Sequence, residues 1–173
     1  LLAVREADGD QTLADFRGRR VVCNSPDSQS GYNVLLKMVA PLSRDGRFFS
    51  AVAFSGSHRQ SLRELQQGTA DIAAIDCVTW ALLQRHQPEA LAGLAVIARS
   101  PLAPGLPLIT SATTSAATLG LLREALQQLV SDERYRPLCE ALFICGYSDM
   151  RRADYQPLLA WRDEAAARGV VRL

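Results

Sequence analysis

The sequence lacks any uninterrupted apolar run approaching the ~20 residues that a membrane-spanning helix needs, so it offers no candidate span. It also lacks a C-x-x-C pair. Four cysteines stand at positions 23, 77, 139 and 145, and the two histidines, His58 and His86, complete no zinc pattern with them. No metal or cofactor is therefore expected. A charge imbalance is missing too: the formal net charge is +1, which gives no reason to expect nucleic acid or another polyanion as a partner. The strained Gly-x-Ser-x-Gly turn of a hydrolase is absent, as are internal repeats and low-complexity tracts. The opening residues, Leu1-Leu2-Ala3-Val4-Arg5, include no initiator Met and no signal-peptide layout. They read as a strand entered midway, and the gene product is expected to be longer than these residues.

What is present is enough apolar material for a core. Hydrophobic residues make up 48% of 173, which suits one ordinary domain or two small lobes. Strand and helix patterns alternate through the first hundred residues. Val21–Cys23, Ala51–Phe54, Ile72–Ile75 and Leu94–Ala98 read as strands. Helices are expected over about Gly31–Ala40, from Ser57 to Gly68, and over Val78–His86. Ser57 and Gln60 have capping-box spacing, and Gly68 suits the residue just past a helix end. The alternation predicts a parallel sheet covered by helices. Cys23 and Cys77, at strand ends, are expected as small buried apolar residues, while Cys139 and Cys145 are close enough in sequence to pair. Beyond Ser100 the pattern changes. A Pro-rich segment precedes a candidate strand at Leu108-Ile109-Thr110. Helices then follow near Ala116–Val130, Arg134–Leu142 and Tyr155–Arg168.

The segment Asn24-Ser25-Pro26-Asp27-Ser28-Gln29-Ser30-Gly31-Tyr32 lies between a strand and a helix. The first N–H groups of a helix have no internal partner and favour an anion. Two hydroxyls and a glycine at that point read as a cradle for a phosphate-like or phosphonate-like group. His58 and Asp76 also follow strands directly, and ligands of such sheets bind beyond the carboxyl ends of the strands. Three junctions thus direct polar groups at one rim.

The motifs in order are Leu13-Ala14-Asp15-Phe16-Arg17-Gly18-Arg19-Arg20-Val21-Val22, Ser28-Gln29-Ser30-Gly31-Tyr32, Phe54-Ser55-Gly56-Ser57-His58 and Gly68-Thr69-Ala70-Asp71-Ile72-Ala73-Ala74-Ile75-Asp76. Ser100-Pro101, Pro104-Gly105 and Pro107 follow. Together, from about Thr12 to Thr110, they resemble the phosphonate-binding family of ABC-transporter substrate-binding proteins. That resemblance implies an α/β fold of the type II periplasmic binding protein kind, a mostly parallel sheet flanked by helices. Residues 8–100 would form a nearly complete second lobe. Residues 101–173 would supply a crossing segment and the helical return of the first lobe. It implies an oxyanion of the phosphonate, phosphate or phosphite class bound by Ser28, Gln29, Ser30, Gly31 and His58 in an interlobe cleft, with Asp76 reading the rest of the ligand. An ABC-transporter permease would be the partner and the periplasm the compartment, with the cytoplasm left open. Gln29 departs from the small hydroxyl residue common at its position. The family's longer N-terminal region is also missing from these residues, so exposed apolar faces and self-association are expected.

Each residue has a plainer reading. Ser28 and Ser30 suit an N-cap and a turn, His58 a solvent-facing turn, and Asp76 an ordinary N-cap. Tyr32 and Trp80 could wall the cleft, although the core is the simpler place for Trp80. His86 suits the C-terminal end of a helix dipole. Besides a non-catalytic receptor, two other functions use the same residues. One is a hydrolase with Ser28, His58 and Asp76 as a triad, which would need the imidazole bonded between the other two. The other is an effector-sensing domain of a regulator.

Overall fold

The computed structural model describes residues 1–173. The chain divides into two compact units, Leu1–Ala103 with Gln156–Leu173, and Pro104–Tyr155.

The first unit is built on a five-stranded sheet. Its strands are β1 (Leu2–Arg5), β2 (Arg20–Cys23), β3 (Ala51–Phe54), β4 (Ile72–Ala74) and β5 (Leu94–Ala98), in the spatial order β3-β2-β4-β1-β5. β2 lies parallel to β3 and β4, whereas β1 is antiparallel to β4 and β5. All strands but β1 therefore point the same way, and the mostly parallel α/β sheet expected from the sequence is found with one reversed strand.

The side chains of the central strands divide between two cores with the period of two that a pleated strand imposes. Leu2, Val4, Val21, Cys23, Ile72 and Ala74 are buried on one face with Val34, Leu35 and Val39. These last three belong to helix α1 (Val34–Val39). Ala3, Val22, Ala73 and Ile75 are buried on the other face with Leu62, Leu65 and Leu83, which come from helices α2 (His58–Gln66) and α3 (Cys77–His86). Strands covered on both faces need apolar residues at every position, which is why the run at Ile72 has no polar alternation. Trp80 packs against this second core and Tyr32 against the first.

The segment Gln156–Leu173, which the sequence pattern groups with the C-terminal part, belongs to the first unit. Its helix packs on α1, where Leu36 and Ala40 bury Ala165 and Val170. Lys37 pairs with Glu164 across the same contact.

Pro104–Tyr155 is helical. Helix α4 (Ala116–Ser131) starts at Ser115, whose hydroxyl accepts from the Thr118 N–H, and helix α5 (Arg136–Ala141) follows. The chain closes with α6 (Gln156–Ala167) in the first unit. The candidate strand at Leu108–Thr110 is not formed. A strand needs a neighbour to take its backbone groups, and none lies alongside. Leu108 and Ile109 are 76% and 87% exposed. The cysteine expectations change as well. Cys77 opens α3 and is exposed rather than buried, because the strand ends before it. Cys139 and Cys145 are both free. Cys23 is buried, and desolvation pushes its thiol up to about 12. No helix is long and apolar enough to cross a membrane.

One ionic knot ties three strands together at the edge opposite the candidate site. The Asp71 carboxylate is buried and precedes β4. It accepts from Arg20 Nε at 3.0 Å, Arg20 Nη2 at 2.8 Å, the Arg20 backbone N–H at 2.9 Å and Arg5 Nη2 at 3.0 Å. The same arginines donate to the carbonyls of Ala70 and Gly68. The hydrogen bonds from Arg20, aided by Arg5, hold the Asp71 carboxyl well below the usual carboxylate range. A depressed folded-state value means the stabilisation is present above the ordinary carboxylate value near 3.9 and is lost as pH falls below it. Asp71→Asn should therefore lower the free energy of urea unfolding at pH 7 by about 2–3 kcal/mol. The gap from the parent protein should shrink below about pH 4. Equal stability at pH 7 would show that the knot is dispensable.

Candidate functional site

Strands β2, β3 and β4 are neighbours in the order β3-β2-β4, so the three junctions at their carboxyl ends are adjacent. Main-chain hydrogen bonds continue past the end of the β2/β3 ladder. The Ser55 N–H donates to the Cys23 carbonyl and the Gly56 N–H to the Asn24 carbonyl, both at 2.9 Å. Gly56, at φ +88°, lets the chain turn out of β3 through a conformation closed to most residues. Ser57 then caps α2 by accepting from the Gln60 N–H. This routing places His58 in the first turn of α2, facing the loop after β2.

That loop enters its helix through a wide π turn, Gln29–Asn33, continuous with α1. The Tyr32 and Asn33 N–H groups both donate to the Ser28 carbonyl, at 3.1 and 3.0 Å, and the Ser28 hydroxyl accepts from the Gly31 N–H at 3.0 Å. Ser28 is thus the N-cap. The N–H groups of Gln29 and Ser30 occupy the first helical positions, which have no partner within a helix. Ser30 Oγ lies 3.1 Å from His58 Nε2. Gly31 is required by space. A Cβ there would lie 1.9 Å from Asn24 Oδ1 and 3.2 Å from His58 Cε1.

The remaining candidates distribute differently. Gln29 Oε1 accepts from Asn33 Nδ2, which also donates to the Leu158 carbonyl in α6. The carboxamide that replaces a small hydroxyl here therefore braces the loop against α6. Asp76 is the N-cap of α3, its Oδ2 accepting from the Thr79 N–H. It reaches His58 electrostatically and not by a hydrogen bond. The Tyr32 ring lies 6.0 Å from that of Phe54, and its hydroxyl accepts from the Leu173 N–H. His86 sits exposed at the C-terminal end of α3.

Two buried polar atoms on these residues lack partners, Asn24 Oδ1 and Gln29 Nε2, and His58 Nδ1 makes no well-formed hydrogen bond although the Ala74 carbonyl acts on the ring. Burial lowers the His58 pKa below the ordinary 6.5, while Asp76 and the Ala74 carbonyl oppose it. Burial thus favours the uncharged imidazole, and in the tautomer that carries its proton on Nδ1 the ring accepts from the Ser30 hydroxyl. A triad is not assembled. The hydroxyl bonded to His58 is that of Ser30, and Asp76 does not orient the ring. No group of three or more His, Cys, Asp or Glu side chains converges as a metal site would require. Asn24 stands at the head of the cradle segment, but the sequence assigned it no role there. The only signal for Asn24 was its place as the first residue after β2.

A family model described as the periplasmic phosphonate substrate-binding protein of ABC transporters matches residues 1–155. No curated protein matches the chain. Among solved structures, PhnD1 of Prochlorococcus marinus, in complex with methylphosphonate, superposes with a TM-score of 0.71 at 13% identity over 96% of this chain and 66% of its own. A Xanthomonas citri protein bound to ATP gives 0.67 at 16% identity, over 98% and 66% of the two chains. A binding-protein component of a Pseudomonas aeruginosa ABC phosphonate transporter gives 0.62 at 20% identity, over 98% and 67%. The fold is therefore that of type II periplasmic binding proteins, and this chain spans about two thirds of the length of those it matches.

The burial of His58 makes a direct prediction. In a histidine-resolved NMR titration of the protein without added anion, the His58 ring should titrate below 6.5. A midpoint at or above that value would mean that the ring is solvated and the loop is not closed over it.

Proposed function

Because the chain belongs to the phosphonate-binding family of periplasmic substrate-binding proteins of ABC transporters, we propose that it binds a small phosphorus oxyanion at the rim formed by the loops after β2, β3 and β4. The protein would deliver the anion to a transporter permease from the periplasm, without chemical change. The observation that carries this reading is the Ser30–His58 hydrogen bond at the start of the helix, beside the N–H groups of Gln29 and Ser30.

The pair can respond to an anion. With His58 neutral, Ser30 spends its proton on Nε2. An approaching anion favours the imidazolium, and Nε2–H then donates to Ser30 Oγ. The Ser30 O–H is released to donate to the anion. One protonation thus reverses one hydrogen bond and frees the Ser30 hydroxyl to donate outward, and charge-assisted donation to an oxyanion is the stronger kind. The sign follows. Since the free ring is held neutral by burial, binding should draw a proton and should strengthen as pH falls through the histidine range. The relatives solved with methylphosphonate and with ATP support the ligand class, since both molecules present phosphorus-bound oxygens.

Isothermal titration calorimetry of the chain with methylphosphonate, phosphite and phosphate should give saturable binding, tightening at lower pH. Ser30→Ala and His58→Ala should each weaken it by about 10–100-fold, the size of a lost charge-assisted hydrogen bond. Absence of heat with all three anions, or full binding by the His58→Ala protein, would overturn the assignment.

A further inference from the structure

We propose that Asn24 sets the specificity of this site, its carboxamide oxygen accepting a hydrogen bond from a protonated oxygen of the ligand. Resting on the oxyanion reading above, this deepens it to a preference for singly protonated phosphorus oxyanions over sulfate.

The main chain of Asn24 is fixed by the Gly56 N–H bond to its carbonyl. Its side chain lies against Gly31, where the volume that any other residue would fill with a Cβ is taken up by Oδ1, with His58 Cε1 on the other flank. The amide oxygen and the imidazole thus border the same glycine of the cradle. Oδ1 is buried and has no partner. A buried acceptor left unsatisfied destabilises the protein, and a donor that arrives with the ligand would remove that cost.

No group of the protein donates to it. Around the cradle the groups fitted to an anion are themselves donors: the Gln29 and Ser30 N–H groups, the serine hydroxyls and His58 in its protonated form. Gln29 cannot share the accepting role, because its Oε1 is taken by Asn33 and only the Nε2 end is open. Asp76, the acidic group nearest in effect to His58, spends one oxygen on the Thr79 N–H. A bare tetrahedral dianion offers acceptors only, and would set one of its oxygens against Asn24 Oδ1. A hydrogen-phosphonate or hydrogen-phosphate brings one O–H and satisfies it. Sulfate has no proton at neutral pH. A neutral amide makes this distinction without repelling the ligand's charge, as a carboxylate at that place would.

Calorimetry on the full chain near pH 6.5 with methylphosphonate, inorganic phosphate and sulfate tests the proposal. The parent protein should bind the phosphorus anions at least tenfold more tightly than sulfate, about one hydrogen bond's worth of discrimination. Asn24→Leu, which cannot accept, should bring the ratio close to one by losing phosphonate affinity while keeping sulfate affinity. Asn24→Asp, which keeps the shape, should widen the ratio by abolishing sulfate binding and retaining the protonated anions, and it serves if the leucine protein does not fold. Equal weakening of all three anions by Asn24→Leu would mean that the amide donates through its nitrogen, and unchanged affinities would remove Asn24 from the site. Either overturns the proposal while leaving the oxyanion reading intact. Failure of the parent protein to bind any of the three overturns both.

Discussion

Two main-chain hydrogen bonds beyond the ends of β2 and β3 hold the site together. Ser55 and Gly56 donate to Cys23 and Asn24, extending the parallel ladder by one step after the side chains have stopped alternating. Without them the loop carrying Ser28 and Ser30 and the turn carrying His58 would be independent. With them, a hydroxyl and an imidazole from separate segments meet at 3.1 Å. The geometry is therefore set by backbone pairing between strands covered on both faces by helices. A loop anchored to such strands pays little ordering entropy when a ligand arrives, since most of it has been met in folding.

In the proposed receptor role the site would take up a proton together with its anion. Burial disfavours the charged form of His58, and Asp76 together with the Ala74 carbonyl limits the effect. The balance leaves a ring that changes charge when a nearby anion changes the field. The Ser30 hydroxyl follows, because it can donate or accept and adopts whichever role the ring requires. In the proposed binding event the bonded Ser30–His58 pair would turn its hydroxyl outward as a donor. The adjoining Asn24 oxygen is a buried acceptor with no partner in the protein.

Much of this could be read from residue order. The strands at 51–54 and 94–98 and the N-caps Ser57 and Asp76 follow from local chemistry that the fold does not override. Other features depend on what lies across the chain. Leu108–Thr110 has the composition of a strand, yet no neighbouring strand takes its backbone groups. Cys77 looks like a strand terminus but begins a helix, and so reaches solvent. Gln29 occupies a ligand-like position, while its carboxamide is drawn to Asn33, itself bonded to α6 more than a hundred residues later in the chain. Asn24 carried no motif at all, because its importance comes from the space that Gly31 leaves for it. Propensity and capping act over a few residues, but partners for a polar atom are decided by the tertiary fold.

The central claim is that His58 gains its charge from a bound phosphorus oxyanion. The most direct measurement is the His58 ring titration by NMR with and without saturating methylphosphonate. The account predicts an upward displacement of the midpoint when the anion is bound. A midpoint that does not move would contradict it.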